Sequence, residues 1–151
     1  MSGLQVRLAQ AADLPAVYAL RHEVFVVGQD VPVELERDEH DDGCDHAVAV
    51  RDGRVVGTGR LLATSDDGRA ATGTVGRMAV AAGERGRGVG AAVLVRLERR
   101  AAEVGLTSVE LHAQVHARPF YERAGYRPFG ATYLEAGIEH VSMRKDLQPQ
   151  R

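Results

Sequence analysis

The segment VGRMAVAAGERGRGVG, at residues 75–90, carries the clearest structural signal in the chain. Its first part completes a run of small and β-branched residues at 72–80 that predicts a strand, in which Gly76 indicates a bulge or a close backbone approach. Its second part is a glycine-rich turn leading into a helix that Gly105 ends. Such a turn presents unpaired N–H groups and the positive end of a helix dipole at one point, which suits a phosphate group.

Three phosphate-binding patterns compete for this turn. The Walker pattern needs Lys followed by Ser or Thr, and the turn contains no Lys. The dinucleotide fingerprint G-x-G-x-x-G/A is matched by Gly86, Gly88 and Ala91, with Glu110 about 20 residues further on, so an NAD(P)-binding oxidoreductase stays an alternative. In that fold, however, the glycines directly follow an early strand, whereas here several predicted strands come first. The third pattern, R-x-x-G-x-G, is matched by residues 85–90.

The remaining sequence predicts strands at residues 4–9, 46–50, 55–63, 107–114, 126–133 and 139–147, and further helices at 14–27 and 117–124. Asp52 and Gly53 form a dipeptide favoured in tight hairpins, and another turn is predicted at 65–68. The resulting order, β-α-βββ-α-β-α-ββ, predicts one α/β (α+β) domain with a mixed, mostly antiparallel central sheet and helices on both faces. We assign residues 1–147 to that domain and 148–151 to a short C-terminal tail.

Apolar residues spaced three and four positions apart indicate which helix faces are buried. In the first helix this face comprises Leu14, Val17, Leu20, Val24 and Val27. In the helix after the glycine turn, which is predicted to run to about residue 104, it comprises Val89, Val93, Leu97, Ala101 and Val104. Both helices are therefore expected to pack on the sheet.

The composition limits the classes of function. The chain has 151 residues and a formal net charge of −2, so it lacks the basic surface that nucleic-acid binding requires. No apolar run approaches the roughly 20 residues that cross a bilayer, and no membrane partner is expected. The single Cys44 excludes an internal disulfide framework and favours a reducing compartment, so we expect a cytoplasmic protein.

Residues 34–45 are unusually acidic. The carboxylates are Glu34, Glu36, Asp38, Glu39, Asp41, Asp42 and Asp45. Because almost no apolar residue interrupts them, the segment is predicted to be an exposed loop, whose negative potential could attract a cationic amine or polyamine. The EF-hand order of calcium ligands is not reproduced, so no calcium site is indicated.

A second motif follows the glycine turn. Residues 114–126 read Q-x-x-A-x-x-F-Y-E-x-x-G-Y, and with R-x-x-G-x-G at 85–90 they resemble the GNAT superfamily of acyl-CoA-dependent N-acyltransferases, with Gln114 in place of the usual Asn. The R-x-x-V-F-V-V segment at 21–27 and the E-x-D-x-x-D segment at 36–41 are similar to the ElaA-like branch of that superfamily. That branch typically has Glu where Gly28 stands, so any role of that acid is absent here.

The resemblance implies that acetyl-CoA is the co-substrate and lies where the strand at 72–80 diverges from the strand at 107–114. Its pantetheine arm would pair with the backbone, and its pyrophosphate would rest on the glycine turn. The expected contacts are Met78, Ala79, Val80, Arg85, Gly86, Arg87, Gly88, Val89, Gly90, Gln114 and Tyr121. No metal is implied, the acceptor is expected to be a primary amine on a small molecule or peptide, and the chain could form a homodimer.

Acetyl transfer needs a neutral amine near the thioester carbon, a donor for the oxyanion and an acid for the departing thiolate. The family pattern implies that Tyr121 is the acid, because a phenol stays protonated at neutral pH. Candidates for the base are Glu110 and His112, which share one strand face with Gln114. His140 is a further candidate, whereas His116 could cap the short helix or line the cofactor channel. A purely structural role stays open for each residue, as does a CoA-binding sensor that keeps the fold without turnover.

Overall fold

The structure, a computed structural model, describes residues 3–64 and 71–147. The strands are β1 (Gln5–Leu8), β2 (Asp45–Arg51), β3 (Arg54–Leu62), β4 (Thr72–Val80), β5 (Ser108–Gln114), β6 (Arg127–Glu135) and β7 (Ile138–Asp146). The helices are α1 (Leu14–Arg21) with a π-helical continuation (His22–Val27), α2 (Val33–Glu36), α3 (Val89–Glu103) and α4 (Arg118–Arg123), with 3-10 helices at Ala11–Asp13, Glu39–Asp42, Ala82–Glu84 and Val115–Ala117. The predicted order of elements is confirmed, and α2 is an addition within the acidic segment.

Two predicted features, the turn at 65–68 and the tail at 148–151, lie outside the described residues. In the two described ranges, no helix combines the length and the apolar character that crossing a membrane would demand.

The described strands form one sheet in the order β1-β2-β3-β4-β5-β7-β6. Neighbouring strands are antiparallel except β4 and β5, which run parallel, so the predicted mixed and mostly antiparallel sheet is confirmed. The hairpin between β2 and β3 turns at Asp52 and Gly53, whose φ angles of 54° and 75° are the positive values that this tight turn needs. A parallel pair requires a crossover connection, and α3 supplies it.

Helix α3 packs so closely on β3 that two positions of the strand have to be glycine. A Cβ on Gly57 would lie 2.5 Å from Val89 Cγ1. A Cβ on Gly59 would lie 2.5 Å from Met78 Sδ and 2.9 Å from Leu97 Cδ1. The main core of the protein therefore lies between α3 and this face of the sheet.

Helix α1 covers the opposite face. In β2, Ala47 and Ala49 belong to the core under α3, whereas the ring of His46 contacts the ring of Tyr18 in α1 at a centroid distance of 6.2 Å. Because alternate residues of a strand point to opposite faces, helices flank both faces of the sheet, as predicted.

Two residues predicted to face the core are exposed instead. The stripe of the first helix is buried at Val17, Leu20 and Val24, but Val27 is 69% exposed. The helix becomes π-helical over His22–Val27, and its i→i+5 bonding changes the angular phase of the residues that follow. Val104 is 44% exposed because it lies at the C-cap, beyond the last helical residue of α3.

The prediction that residues 34–45 form an exposed loop is wrong for two of the seven carboxylates in this segment. Glu36 and Asp41 are each only 4% exposed. Both carboxylates accept hydrogen bonds from the guanidinium of Arg21, which is fully buried, at distances down to 2.5 Å for Glu36 and 2.7 Å for Asp41. The segment thus folds back onto α1 because it carries the partners of a buried cation.

Two further arginines complete this cluster. Arg60 of β3 donates to Asp38 at 2.7 Å and to Asp41 at 2.9 Å. Arg77 of β4 lies 3.3 Å from Asp38 and donates through Nε to the backbone carbonyl of Glu36 at 2.9 Å. We call Arg21, Arg60, Arg77, Glu36, Asp38 and Asp41 the arginine network; its three positive and three negative charges cancel.

The network fixes the protonation state of its carboxylates. Burial by itself raises the pKa of Asp41, but hydrogen bonds from Arg21 and from the Asp38 amide outweigh it and hold the pKa well below its ordinary value. The hydrogen bond from Arg60 lowers the pKa of Asp38. Both groups are therefore carboxylates at neutral pH, and their negative charge is already paired.

Replacing Arg21 with Met is expected to lower the free energy of unfolding by about 3–5 kcal/mol at pH 7, because Glu36 and Asp41 would stay buried without a partner. Urea denaturation followed by circular dichroism measures this loss. The control is Arg7→Met, which removes the partly exposed pair of Arg7 with Asp13 and should cost less than about 1 kcal/mol. Equal losses in the two variants would contradict the role given to the network.

The loss of unfolding free energy in Arg21→Met should depend on pH. The pKa of Asp41 is lower in the folded than in the unfolded protein, so its stabilising contribution is complete above an unfolded pKa of about 4 and declines as the pH falls towards the folded value. The stability difference between wild type and Arg21→Met is therefore expected to narrow in acid.

Candidate active site

A cleft opens where β4 and β5 separate. Their parallel pairing ends at Val75 and Leu111, although β4 continues to Val80 and β5 to Gln114. Residues from both diverging strands line a cleft of about 810 Å³. This is the opening that the family resemblance implies between these two strands.

A bulge in β4 accounts for the divergence. The register between β3 and β4 shifts between Thr58 and Arg60, and Arg77 lies in the left-handed region with φ of 53°. A bulge bends the strand that carries it and increases its twist. The sequence indicated a bulge at Gly76, and the residue with the unusual backbone is its neighbour.

Beyond the bulge, β4 offers a free backbone edge to the cleft. The segment from Met78 to Val80 pairs with β3 on one side and, within the described residues, with no strand on the side of β5. The Val80 carbonyl lies 3.4 Å from Arg85 Nε. An extended ligand can bind such an edge through main-chain hydrogen bonds, as an added strand does.

The glycine turn supplies a second set of free amides. Gly86 and Gly88 have φ angles of 77° and 81°, which only glycine adopts without strain, and a Cβ at either position would meet open space. The first hydrogen bond of α3 runs from the Ala92 amide to the Gly88 carbonyl at 3.1 Å. The amides of Val89, Gly90 and Ala91 therefore have no acceptor within the helix.

The turn lies against the end of β4. Gly90 packs on this strand and on α4, since a Cβ there would lie 3.6 Å from Val80 Cγ2 and 3.3 Å from Phe120 Cζ. Arg85 lines the cleft together with Met78, Ala79 and Val80, while the segment at 86–90 is not part of the lining. Arg87 lies 3.4 Å from Glu84. The structure thus brings the predicted pantetheine and pyrophosphate contacts into one continuous region.

Tyr121 of α4 forms part of the cleft wall. Its side chain is buried, and its ring makes edge contacts with Phe120 and Tyr126 at centroid distances of 4.9 and 6.0 Å. Burial raises the pKa of Tyr121 to about 12. The phenol is therefore a neutral proton donor throughout the physiological pH range.

The three candidates on β5 do not all reach the cleft. His112 and Gln114 line it, whereas Glu110 does not. Glu110 is buried deeper in the sheet, opposite Arg144 of β7, and its Oε2 atom has no hydrogen-bond partner among the described residues. Glu110 therefore lies away from any ligand bound in the cleft.

A pair of amide side chains spans the cleft, and the sequence alone did not indicate it. Gln114 Nε2 donates to Gln29 Oε1 at 2.8 Å, and Gln29 Nε2 lies 3.3 Å from Gln114 Oε1. His116 Nε2 lies 2.5 Å from Gln114 Oε1. Gln in place of the Asn of the family motif makes this side chain one methylene longer. Its amide group contacts the amide group of Gln29, which follows the π-helix.

A second missed feature is a group of rings on β5, β6 and β7. His112 Nδ1 is hydrogen-bonded to the hydroxyl of Tyr133, and the Tyr133 ring stacks on His140 at a centroid distance of 6.0 Å. His112 and His140 line the cleft. Nothing in the sequence of β6 distinguished Tyr133, because its partners come from two other strands.

The part of the cleft nearest α1 and α2 is largely apolar. Its apolar side chains are Val24, Phe25, Val31, Leu35 and Leu62. The charged residues beside them, Glu36, Asp38, Arg60 and Arg77, belong to the arginine network. This half of the cleft therefore offers an apolar surface over charges that are already paired.

Asp41, Cys44 and His46 also lie together, with ligand atoms within 4.8 Å of one another. Their contacts do not suit a metal ion. The Asp41 carboxylate is bound by two guanidinium groups, and His46 Nε2 lies 3.0 Å from the Asp41 carbonyl, which can only accept a hydrogen bond. Burial raises the pKa of the Cys44 thiol to about 11, so it is neither a ready metal ligand nor a reactive thiolate.

Comparison with known proteins agrees with this geometry. Residues 9–147 match a family described as "Acetyltransferase (GNAT) domain". The uncharacterized N-acetyltransferase YjcF of Bacillus subtilis is 38% identical over 134 residues, which cover 88% of this chain and 92% of YjcF. Protein ElaA of Escherichia coli is 30% identical over 138 residues, covering 90% of this chain and 89% of ElaA.

A solved structure gives the same result for the whole architecture. The crystal structure of an acyl-CoA N-acyltransferase from Pseudomonas aeruginosa superimposes with a TM-score of 0.80 at 33% sequence identity, covering 95% of this chain and 99% of that one. The similarity in sequence and in structure extends over nearly the full length of each chain.

Proposed function

This chain belongs to the GNAT family of acyl-CoA-dependent N-acetyltransferases, and we propose that it moves the acetyl group of acetyl-CoA to a primary amine by direct attack within a ternary complex. One observation carries the proposal. The free edge of β4 and the buried phenol of Tyr121 line one cleft, and the glycine turn packs through Gly90 against the end of that edge, as thioester binding and thiolate departure require.

Acetyl-CoA is held mainly by main-chain groups. The pantetheine arm extends the sheet along Met78, Ala79 and Val80, in the gap that β5 leaves. The pyrophosphate takes the amides of residues 86–90, where the α3 dipole and the side chains of Arg85 and Arg87 favour negative charge. Gln114 and Tyr121 complete the expected contacts from the opposite wall.

Tyr121 acts as the general acid. When the amine nitrogen forms its bond to the carbonyl carbon and the C–S bond breaks, the sulfur leaves as a thiolate that needs a proton. The raised pKa of Tyr121 keeps the phenol protonated and available at that moment. The developing oxyanion accepts a hydrogen bond from a backbone N–H near Val80, on the free edge of β4.

The acceptor is an amine with an apolar body. Three carboxylates of the acidic segment, Glu36, Asp38 and Asp41, are neutralised by arginines. The segment therefore attracts a polycationic amine less strongly than its composition indicates. The apolar side chains near α1 and α2 instead favour an aliphatic or aromatic amine, on a small molecule or a peptide. Comparing turnover of benzylamine-type acceptors with that of spermidine tests this choice.

The charge and shape of the glycine turn provide the first test. Gly88→Asp is expected to weaken binding of acetyl-CoA by about 100-fold or more, because a carboxylate would stand where the pyrophosphate lies. Isothermal titration calorimetry measures the affinity. Gly88→Ala adds the same backbone strain at φ of 81° without the charge, and the methyl group has room, so it should bind at least about tenfold tighter than Gly88→Asp. Unchanged affinity in Gly88→Asp would contradict the site.

The second test concerns Tyr121. Tyr121→Phe is expected to lower kcat by about 10²–10⁴-fold while the affinity for acetyl-CoA is retained, because only the proton donor is lost. Release of free CoA, measured with a thiol reagent over a panel of amines, gives the rate. Tyr18→Phe, in α1 outside this cleft, is the matched control and should retain the wild-type rate. Acetyl-CoA binding without turnover in the wild type would favour a CoA-binding sensor instead.

A further inference from the structure

His140 is a buried histidine in the wall of the cleft. It lies on β7, directly opposite Gln114 of β5 and Tyr133 of β6 in the strand register. Its side chain is buried, but it lines the cleft. Its ring is held on one side by stacking on Tyr133, with an interplanar angle of 22°. A buried imidazole held in this way in a cleft wall has a defined orientation towards the ligand.

The hydrogen bonds of His140 define which nitrogen is basic. Nδ1 lies 2.7 Å from the backbone carbonyl of Ile138. A carbonyl can only accept, so Nδ1 carries the hydrogen and Nε2 of the neutral ring has the free lone pair. Nε2 lies 3.5 Å from Oε2 of Glu135, a carboxylate that is largely exposed. The ring thus has one fixed donor and one basic nitrogen with an anion beside it.

Of the other titratable groups of the wall, His40 is exposed and lies on the acidic segment, and the rest are less suited to accept a proton. His112 is hydrogen-bonded through Nδ1 to the Tyr133 hydroxyl, which can donate or accept, so this contact does not hold the ring in one tautomer as the Ile138 carbonyl holds His140. His116 lies with Nε2 against the amide oxygen of Gln114 and is exposed. The cleft-lining carboxylates of the arginine network, Glu36 and Asp38, already accept hydrogen bonds from guanidinium groups.

We propose that His140 Nε2 is the general base that takes a proton from the acceptor amine, and that Glu135 stabilises the resulting imidazolium and passes the proton to water. This inference rests on the proposed function. The acceptor arrives as R–NH₃⁺, and His140 removes its first proton to give the nucleophilic amine. The second proton leaves the nitrogen as the C–N bond forms and returns through water to the tyrosinate that Tyr121 becomes when it protonates the sulfur, so each turnover releases one proton, the one taken by His140.

The charges around His140 support this assignment. On β6, the carboxylate of Glu135 and the phenol ring of Tyr133 face His140. On β5, the imidazole of His112 is hydrogen-bonded to the hydroxyl of the same Tyr133. His116, on the 3-10 helix that contacts β7, is the remaining titratable neighbour. The nearest of these formal charges is thus the negative charge of Glu135.

The pH dependence of turnover tests the proposal. His140→Asn keeps a donor where Nδ1–H lies and removes the basic nitrogen, so kcat/KM for the amine should fall by about 10²–10⁴-fold with the affinity for acetyl-CoA unchanged. The ascending limb should move to higher pH in the variant, so the deficit in kcat/KM should narrow at high pH, where the amine deprotonates unaided. His22→Asn, on the exposed side of the π-helix, is the control with a wild-type profile. A His140→Asn profile that matches wild type overturns the proposal.

Two further measurements cover a variant that fails to fold and an enzyme that shows no turnover. Glu135→Gln, at an exposed position, should lower kcat/KM for the amine while the affinity for acetyl-CoA is unchanged, because the proton loses its path from His140 to water; an unchanged kcat/KM counts against the proposal. Independently of activity, long-range ¹H–¹⁵N spectra should show His140 as the Nδ1–H tautomer when the ring is neutral. An Nε2–H tautomer overturns the proposal. Absence of turnover with this tautomer present contradicts the proposed function only.

Discussion

The early end of the pairing between β4 and β5 is the feature on which the rest of the site depends. Parallel strands need a crossover connection, and in this chain the crossover is the glycine turn followed by α3. The turn therefore begins at the same end of β4 at which the strands diverge. One topological choice places a free sheet edge, a set of free helix amides and the wall formed by α4 around a single cleft.

The bulge at Arg77 links this cleft to the arginine network. Its left-handed backbone lets β4 bend away from β5, and its side chain bonds the carbonyl of Glu36 at the end of α2. Arg21 holds the same glutamate from the other side. Breaking a buried ion pair is costly, so the network keeps the acidic segment and α2 in a fixed position over β3 and β4. The part of the cleft nearest α1 and α2 owes its shape to charges that face inward.

Local sequence patterns predicted what depends on neighbours in the chain. Asp52 and Gly53 predict the hairpin, the glycines at 86–90 predict the turn that starts α3, and apolar spacing identifies the buried face of α3. What the patterns missed depends on partners distant in sequence. Arg21 meets carboxylates 15 and 20 positions away, and Tyr133 meets His112 across 21. No periodicity encodes such contacts. The composition of the acidic segment therefore indicates an exposed loop, although two of its carboxylates are buried.

The change from α- to π-helix shows a second limit of these patterns. A stripe based on 3.6 residues per turn holds through Val24 and fails at Val27, because the hydrogen bonding changes within the helix. Gln29 then lies beyond this irregular segment and contacts Gln114 across the cleft. The residues that complete the site from this side could therefore be located only once the path of the backbone was known.

Amide hydrogen exchange with and without CoA tests most directly whether the diverging strands and the glycine turn bind the co-substrate together. Free edge amides and helix-start amides exchange readily until a ligand accepts their hydrogen bonds. We expect CoA to slow exchange at residues 78–80 and 86–91 and to leave β6, at the far edge of the sheet, unchanged. Unchanged exchange at both segments under saturating CoA, or protection confined to another part of the chain, would contradict the account.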